Sequence, residues 1–157
     1  KVIYYYCMEW KYIAGFFDGE GSLTKNANGY RVSIPQTHRG VLAAIQAFTG
    51  RGFISEVKKR KLHWKDCWIW GISKQEDVLF FLEKIEPHVI VKRRLLNEVL
   101  PKTVAMVSRR RQIKKRLSDR RMHALALRKQ GLSYKKIGGA MDLDHGYVRK
   151  MILQKWH

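Results

Sequence analysis

Two hairpin patterns interleaved with helices constrain this chain more than any other feature of it. A helix-period segment over 8–19 places Met8, Tyr12, Ala14, Gly15 and Phe16 on one face, and Gly19 and Gly21 stop it. A strand over 22–27 leads to Asn28-Gly29, a dipeptide that tolerates the positive φ of a tight turn. The return strand over 30–37 alternates Tyr30, Val32 and Ile34 with Arg31 and Ser33. A second helix over 40–49 (Val41, Leu42, Ala44, Ile45, Phe48) closes at Gly50 and Gly52. The order then repeats. A strand over 53–60, a basic tip Lys58-Lys59-Arg60-Lys61 and a strand over 65–72 are followed by helices over 74–85 and, past Pro87, 90–100. Residues 1–107 therefore read α-β-β-α-β-β-α. This is an α+β domain whose helices cover one face of a four-stranded antiparallel sheet and leave the other face to a partner.

Charge says what kind of partner. The chain of 157 residues carries 32 Lys+Arg against 13 Asp+Glu, a formal net charge of +19. Residues 1–100 hold 16 basic and 10 acidic groups, net +6, whereas residues 101–157 hold 16 basic and 3 acidic groups, net +13. A lightly basic body with a strongly basic C-terminal part points to nucleic acid rather than a membrane surface, since no sustained basic amphipathic helix is visible. Cys7 and Cys67 cannot make a disulfide framework and neither lies in a CxxC pair, so a reducing, intracellular compartment is expected. No apolar run approaches about 18 residues, so no membrane span is expected. The start lacks a signal-peptide pattern and an initiator Met, as a trimmed, non-secreted chain would.

Residues 108–118 read as a basic linker. Across 108–121, Arg109, Arg110, Arg111, Lys114, Lys115, Arg116, Arg120 and Arg121 face one acid, Asp119. Residues 119–157 fit a small all-α helix-turn-helix. It has a helix over 119–130 ending at Gly131 and a short helix over 134–141 capped by Ser133. A turn at Asp142-Leu143-Asp144 leads to a last helix over 145–154. Gly138-Gly139-Ala140 supply small residues for a close helix crossing, and Ile137, Met141, Leu143, Val148, Met151 and Ile152 point inward. His145, Tyr147, Arg149 and Lys150 then point outward, where a recognition helix meets the major groove. Phosphate-tracking contacts are expected from Arg109, Arg110, Lys114 and Lys115.

The residues that suggest chemistry lie in Ile13-Ala14-Gly15-Phe16-Phe17-Asp18-Gly19-Glu20-Gly21. Gly15 and Gly19 stand four apart, on one helix face. Glycine costs about 1 kcal/mol per helical position relative to Ala, so a pair of them suits the close approach of a second helix. Asp18 and Glu20 follow where the helix ends. No His/Cys cluster or Ser-His-Asp set offers another hydrolytic route, and the six histidines are scattered.

That segment resembles the LAGLIDADG motif of homing endonucleases. Ala14, Gly15, Asp18 and Gly21 agree with it, Ile13, Phe16, Phe17 and Gly19 are conservative, and Glu20 stands where the family usually has Asp. The element order over 8–107 is similar to the family's whole core fold. One motif per chain implies a homodimer joined through Ala14, Gly15, Asp18 and Gly19, with one acid from each subunit reaching a shared centre. The resemblance implies Mg²⁺ or another hard divalent cation held by Glu20 and Gly19, and no small-molecule cofactor. It also implies cleavage of both strands of a long pseudo-palindromic DNA target with short 3′ overhangs, serving intron or intein mobility. Catalytic roles carry over to Glu20, to Gln36 ending the second strand and to Lys92 after Pro87, with Arg39 or Arg93 sharing the electrostatic role. DNA contacts are expected from Thr24, Asn26, Asn28, Arg31 and Ser33 on the first hairpin. On the second, Ser55 with Lys59 or Lys58 with Arg60 would serve, depending on register. Core packing suits most of Trp64, Trp68 and Trp70, with contact to DNA sugars or to the partner chain left open for one of them. Two other readings stay open: a non-catalytic regulator joining a LAGLIDADG-like domain to a helix-turn-helix, and an intron RNA maturase.

Overall fold

The computed structural model describes residues 8–59, 61 and 63–153. Cys7, Arg60 and the end of the chain from 154 lie outside them. The chain divides into two compact units, Lys1–Val107 and Ser108–His157.

The first unit runs α1 (Trp10–Glu20), β1 (Ser22–Asn26), β2 (Gly29–Gln36), α2 (Arg39–Thr49), β3 (Phe53–Glu56), β4 (Trp68–Ile72) and α3 (Gln75–Ile85). A 3-10 turn (Glu86–His88) then precedes α4, which runs from Arg93 to Lys129 and crosses into the second unit. The mixed α+β architecture with an antiparallel sheet is the one the sequence implies; strand order is β1-β2-β4-β3. Alternation along β2 buries Tyr30, Val32 and Ile34 against the helices, where they meet Trp70, Ile72, Leu42, Ile45, Phe81 and Leu82. Trp70 is fully buried, Trp68 is half-buried against the same core, and Trp64 is exposed.

Local chemistry fixes the first hairpin. Gly29 opens β2 at φ +125, a conformation L side chains rarely adopt, and a Cβ there would overlap Gln75. The buried Gln75 amide completes the strand: Oε1 accepts from Tyr30 N at 2.9 Å and Nε2 donates to Tyr30 O at 2.7 Å. The turn itself is Ala27-Asn28, one residue earlier than the sequence suggests, held by Asn28 N donating to the Asn26 side chain at 2.9 Å.

Three expectations need correction. The second hairpin is shorter than 53–60 and 65–72. Its ladder ends at Glu56–Trp68, with one further bond from Val57 N to Cys67 O, because the charged run from Lys58 has no apolar face to bury. The helices expected at 90–100 and 119–130 are one element, α4, and residues 108–118 between them are helical. Pro101 forfeits the bond to the carbonyl four residues back and crowds it, but Lys and Arg are good helix formers and no Gly or Pro occurs from 102 to 130. On α1, the sheet takes Ile13, Ala14 and Phe17 rather than Tyr12, Gly15 and Phe16. The helix is apolar on more than one face, so the sequence did not determine which face the core would take.

In the second unit, the end of α4 packs with α5 (Tyr134–Met141) and α6 (His145–Leu153) around buried Ala124, Ile137, Val148 and Met151. Ser133 caps α5, its hydroxyl accepting from Lys136 N at 3.4 Å. Asp142 adopts the left-handed C-cap conformation, and Leu143 N reaches back to Gly138 O at 2.9 Å. Of the small residues, Gly138 alone meets a close approach, since a Cβ there would lie 2.6 Å from Leu143 O; Gly139 faces open space and Ala140 is exposed.

Candidate active site and nucleic-acid face

The end of α1 and the approach to α4 are bound in both directions. The Asp18 carboxylate accepts from Ile90 N at 2.6 Å, Val91 N at 3.1 Å and Lys92 N at 3.0 Å. Lys92 reaches back: its ammonium donates to Phe17 O at 3.0 Å and to Asp18 O, and lies 5.5 Å from the Phe17 ring centroid. Each contact suits its helix end, an anion at the positive N-terminal approach and a cation at the negative C-terminus. Partial burial alone would raise the Asp18 carboxyl. The N–H groups of Ile90, Lys92 and Val91, with the charge of Lys92, outweigh that and hold it below the ordinary carboxylate range.

Glu20 is the last residue of α1 and is exposed. Its carboxylate enters no ion pair among the described residues, in contrast to Asp18. No residue of α1 lies far enough along to donate to the Gly19 carbonyl. Two oxygen donors at a negative helix end fit a hard divalent cation in kind. They are fewer than the about six such an ion takes, and the described residues contain no group of three or more His, Cys, Asp or Glu that could hold one.

Beside this end, a Cβ at Gly15 or Gly19 would meet nothing within 4 Å. Tyr12 and Phe16 stack along the same exposed side with ring centroids 5.9 Å apart. Ala14 does not share this face. It is fully buried in the core, and Asp18 is committed to the α4 approach, so neither side chain is available to a partner helix as the sequence suggests.

Gln36 lies at the end of β2, opposite Trp68. The pairing of Ser22 with Ser33 puts it at the end of the sheet where α1 enters β1. Its Oε1 accepts from Thr37 N at 2.7 Å and Thr37 Oγ1 at 3.2 Å, which leaves its amide N–H groups to donate elsewhere. Arg39 is exposed at the start of α2. Arg93 is occupied by Val89 O at 2.9 Å, Glu86 at 3.2 Å and Pro87 O at 3.3 Å.

Register assigns the open face. Ser33 stands opposite Ser22 and Gly71, Arg31 opposite Thr24, and Gly71 opposite Phe53. Ser22, Thr24, Asn26, Arg31, Ser33, Pro35, Ile69, Gly71, Phe53 and Ser55 therefore share one face, away from Val32, Ile34 and Trp70. This selects Ser55 over Lys58 for that face. Asn28 sits in the turn, Lys58 and Lys59 lie past β3, and Lys59 pairs with Asp66 at 2.6 Å. Phe53 on this face was missed because its position alone does not distinguish a core residue from a readout residue.

In the second unit Arg109, Arg110, Lys114 and Lys115 are exposed on α4, and His145, Tyr147, Arg149 and Lys150 are exposed on α6. Asp144 caps α6, accepting from Tyr147 N at 3.0 Å, and that bond holds its carboxyl low. No described helix is long and apolar enough to cross a membrane.

No curated protein sequence matches the chain at significant similarity. Among solved structures, the fold is similar to that of the homing endonuclease I-CvuI in complex with its target. Identity is 17%, the TM-score is 0.51, and 91% of each chain is covered. It is also similar to the LAGLIDADG meganuclease I-AabMI bound to uncleaved DNA, at 14% identity and TM-score 0.52, covering 74% of this chain and 44% of that one. At such identities the likeness concerns the fold. The sequence itself carries the family. Residues 8–86, from the entry to α1 through α3, match the model of a LAGLIDADG-like domain, and with the motif at 13–21 closing α1 on the sheet the chain belongs to the family of LAGLIDADG-like domains.

Proposed function

We propose that two copies of this chain pack through their Gly15–Gly19 faces and act as a site-specific DNA endonuclease. The dimer hydrolyses one phosphodiester in each strand of a long pseudo-palindromic duplex and leaves short 3′ overhangs. The observation that carries this reading is the open glycine face beside an unengaged Glu20. Helical glycine in empty space costs stability without return inside the chain, and a dyad there joins two incomplete donor sets.

Glu20 and the Gly19 carbonyl of each copy would hold Mg²⁺ or another hard divalent cation. When bound, the ion activates water and offsets charge on the phosphorus and the leaving oxygen. The remaining work falls to the chain. Gln36 offers its free amide N–H groups to order a water near the scissile phosphate. Lys92 fixes the end of α1, hence Glu20, and adds positive charge where the phosphate would sit. Arg39 adds a further exposed cation. The open sheet face follows the major groove, with Thr24, Asn26, Arg31, Ser33 and Ser55 toward base edges and Lys58 and Lys59 toward phosphates. The second unit lengthens the footprint, α6 entering a groove by its N-terminal half as in a helix-turn-helix, with the basic stretch of α4 along the backbone.

The deciding experiment incubates the chain with Mg²⁺ and a library of DNA sites. Double-strand cutting that disappears in Glu20→Gln, while binding persists, supports the reading. Undiminished cutting by Glu20→Gln refutes the assignment of the acid.

A further inference from the structure

One cation on the open face is built differently from the rest. The Arg31 guanidinium carbon lies 5.5 Å from the centroid of the Phe53 ring. To reach it the side chain passes over Gly71, where a Cβ would sit 3.2 Å from Phe53 Cζ and 3.6 Å from Arg31 Nη2. The absence of a side chain at Gly71 lets the Phe53 ring lie this close to β4. Arg31 enters no ion pair among the described residues, and its Nε is buried with no hydrogen-bond partner. A guanidinium held over an aromatic ring without an acid is preorganised, having given up much of its rotamer freedom, and its Nη groups meet no acceptor among the described residues. The neighbouring hydroxyls do not compete, since Ser22 and Ser33 satisfy one another at 2.8 Å.

The ligand that matches such a fork presents two coplanar acceptors: guanine through O6 and N7, or a phosphate. The location favours guanine. β2 is an interior strand between β1 and β4, Arg31 has Thr24 opposite it and Ser33 beside it on its face, and no other Lys or Arg of the four strands shares that face. Phosphate contacts carry no sequence information, whereas side chains on the face laid in a groove read base edges, and a fork with no neighbouring cation to share a phosphate suits the second task. We infer that Arg31 is a specificity-determining residue that reads one guanine in each half of the DNA target, with Phe53 holding its guanidinium in plane. The inference rests on the DNA-binding reading above and adds the base class and the residue.

The test is in vitro selection from random duplexes with the full chain, without divalent metal so that nothing is cut. The wild type should enrich a guanine at one symmetric pair of positions. Arg31→Ala should lose that preference alone, keeping the rest of the consensus. Placing 7-deazaguanine at those positions, which removes N7 and needs no protein variant, should weaken wild-type binding about tenfold or more. An unchanged consensus for Arg31→Ala, an equal loss over all sequences as from a phosphate contact, or indifference to 7-deazaguanine would each overturn the assignment while leaving sequence-specific binding intact. A wild type that enriches no sequence would overturn the DNA-binding reading, and this one with it.

Discussion

Carboxylates separate the two units. In the unit ending at Val107, Glu20 stands exposed at a helix end, beside a helix face that nothing among the described residues fills. In the unit from Ser108, Asp142 forms the C-cap of α5, Asp144 caps α6, and Asp119 lies exposed within α4 among Arg116, Arg120 and Arg121. The first unit retains an acid that its own fold does not employ. The second uses two of its three acids as caps and leaves its cations outside. Chemistry and affinity are therefore expected to come apart by unit, and substitutions in each unit can break or sharpen that division.

The largest effect belongs to Glu20. Metal stabilisation of several kcal/mol corresponds to about a thousandfold in rate, so Glu20→Gln should lower single-turnover cleavage by about that factor with little change in gel-shift affinity. Next is Gly15→Leu. With nothing near Gly15 inside the chain, the monomer should melt no lower than wild type, while sedimentation shows loss of the dimer and cutting fails. A cleaving monomer would break the reading of that face. Third, neutralising Arg109, Arg110, Lys114 and Lys115 should leave cleavage positions unchanged while binding weakens. The log–log salt slope should flatten by about 0.9 for each phosphate that is no longer neutralised.

Smaller effects concern stability. The folded Asp18 carboxyl is held below its ordinary value of 3.8, so its contribution is present above that value and fades as pH falls through the folded one. Asp18→Asn should cost about 1–2 kcal/mol at neutral pH, with the two proteins converging in urea melts at strongly acid pH. Smallest is a paired test in α5. Gly139→Ala, in open space, should stabilise by up to about 1 kcal/mol, whereas Gly138→Ala should destabilise because its Cβ meets Leu143 O.

What was legible in the sequence follows the same physical lines. Strand alternation at Tyr30, Val32 and Ile34, and the glycine signals around the first hairpin, report local geometry, so element order and the open face could be read directly. The length of α4 could not. A charge run reads as a linker, yet helix propensity needs no apolar face when the side chains are solvated. The inward face of α1 was equally hidden, because a helix apolar on two sides does not say which side the sheet takes. At the candidate site, Glu20 is assigned by its place in the motif, Gln36 by ending the second strand and Lys92 by following Pro87. The bonds from Asp18 to residues 90–92 were not, since they join segments more than 70 residues apart through main-chain groups that every sequence possesses.

Redesign can exploit those main-chain bonds. Asp18 accepts from backbone N–H groups and Lys92 donates to backbone carbonyls, so the clamp around the candidate site depends on two side chains and otherwise on peptide units. Strand alternation keeps Thr24, Asn26, Ser33 and Ser55 off the packed face altogether. Readout positions on the sheet can therefore be randomised without disturbing either the clamp or the core, and retargeting this protein becomes a surface problem in which stability and recognition are tuned on different atoms.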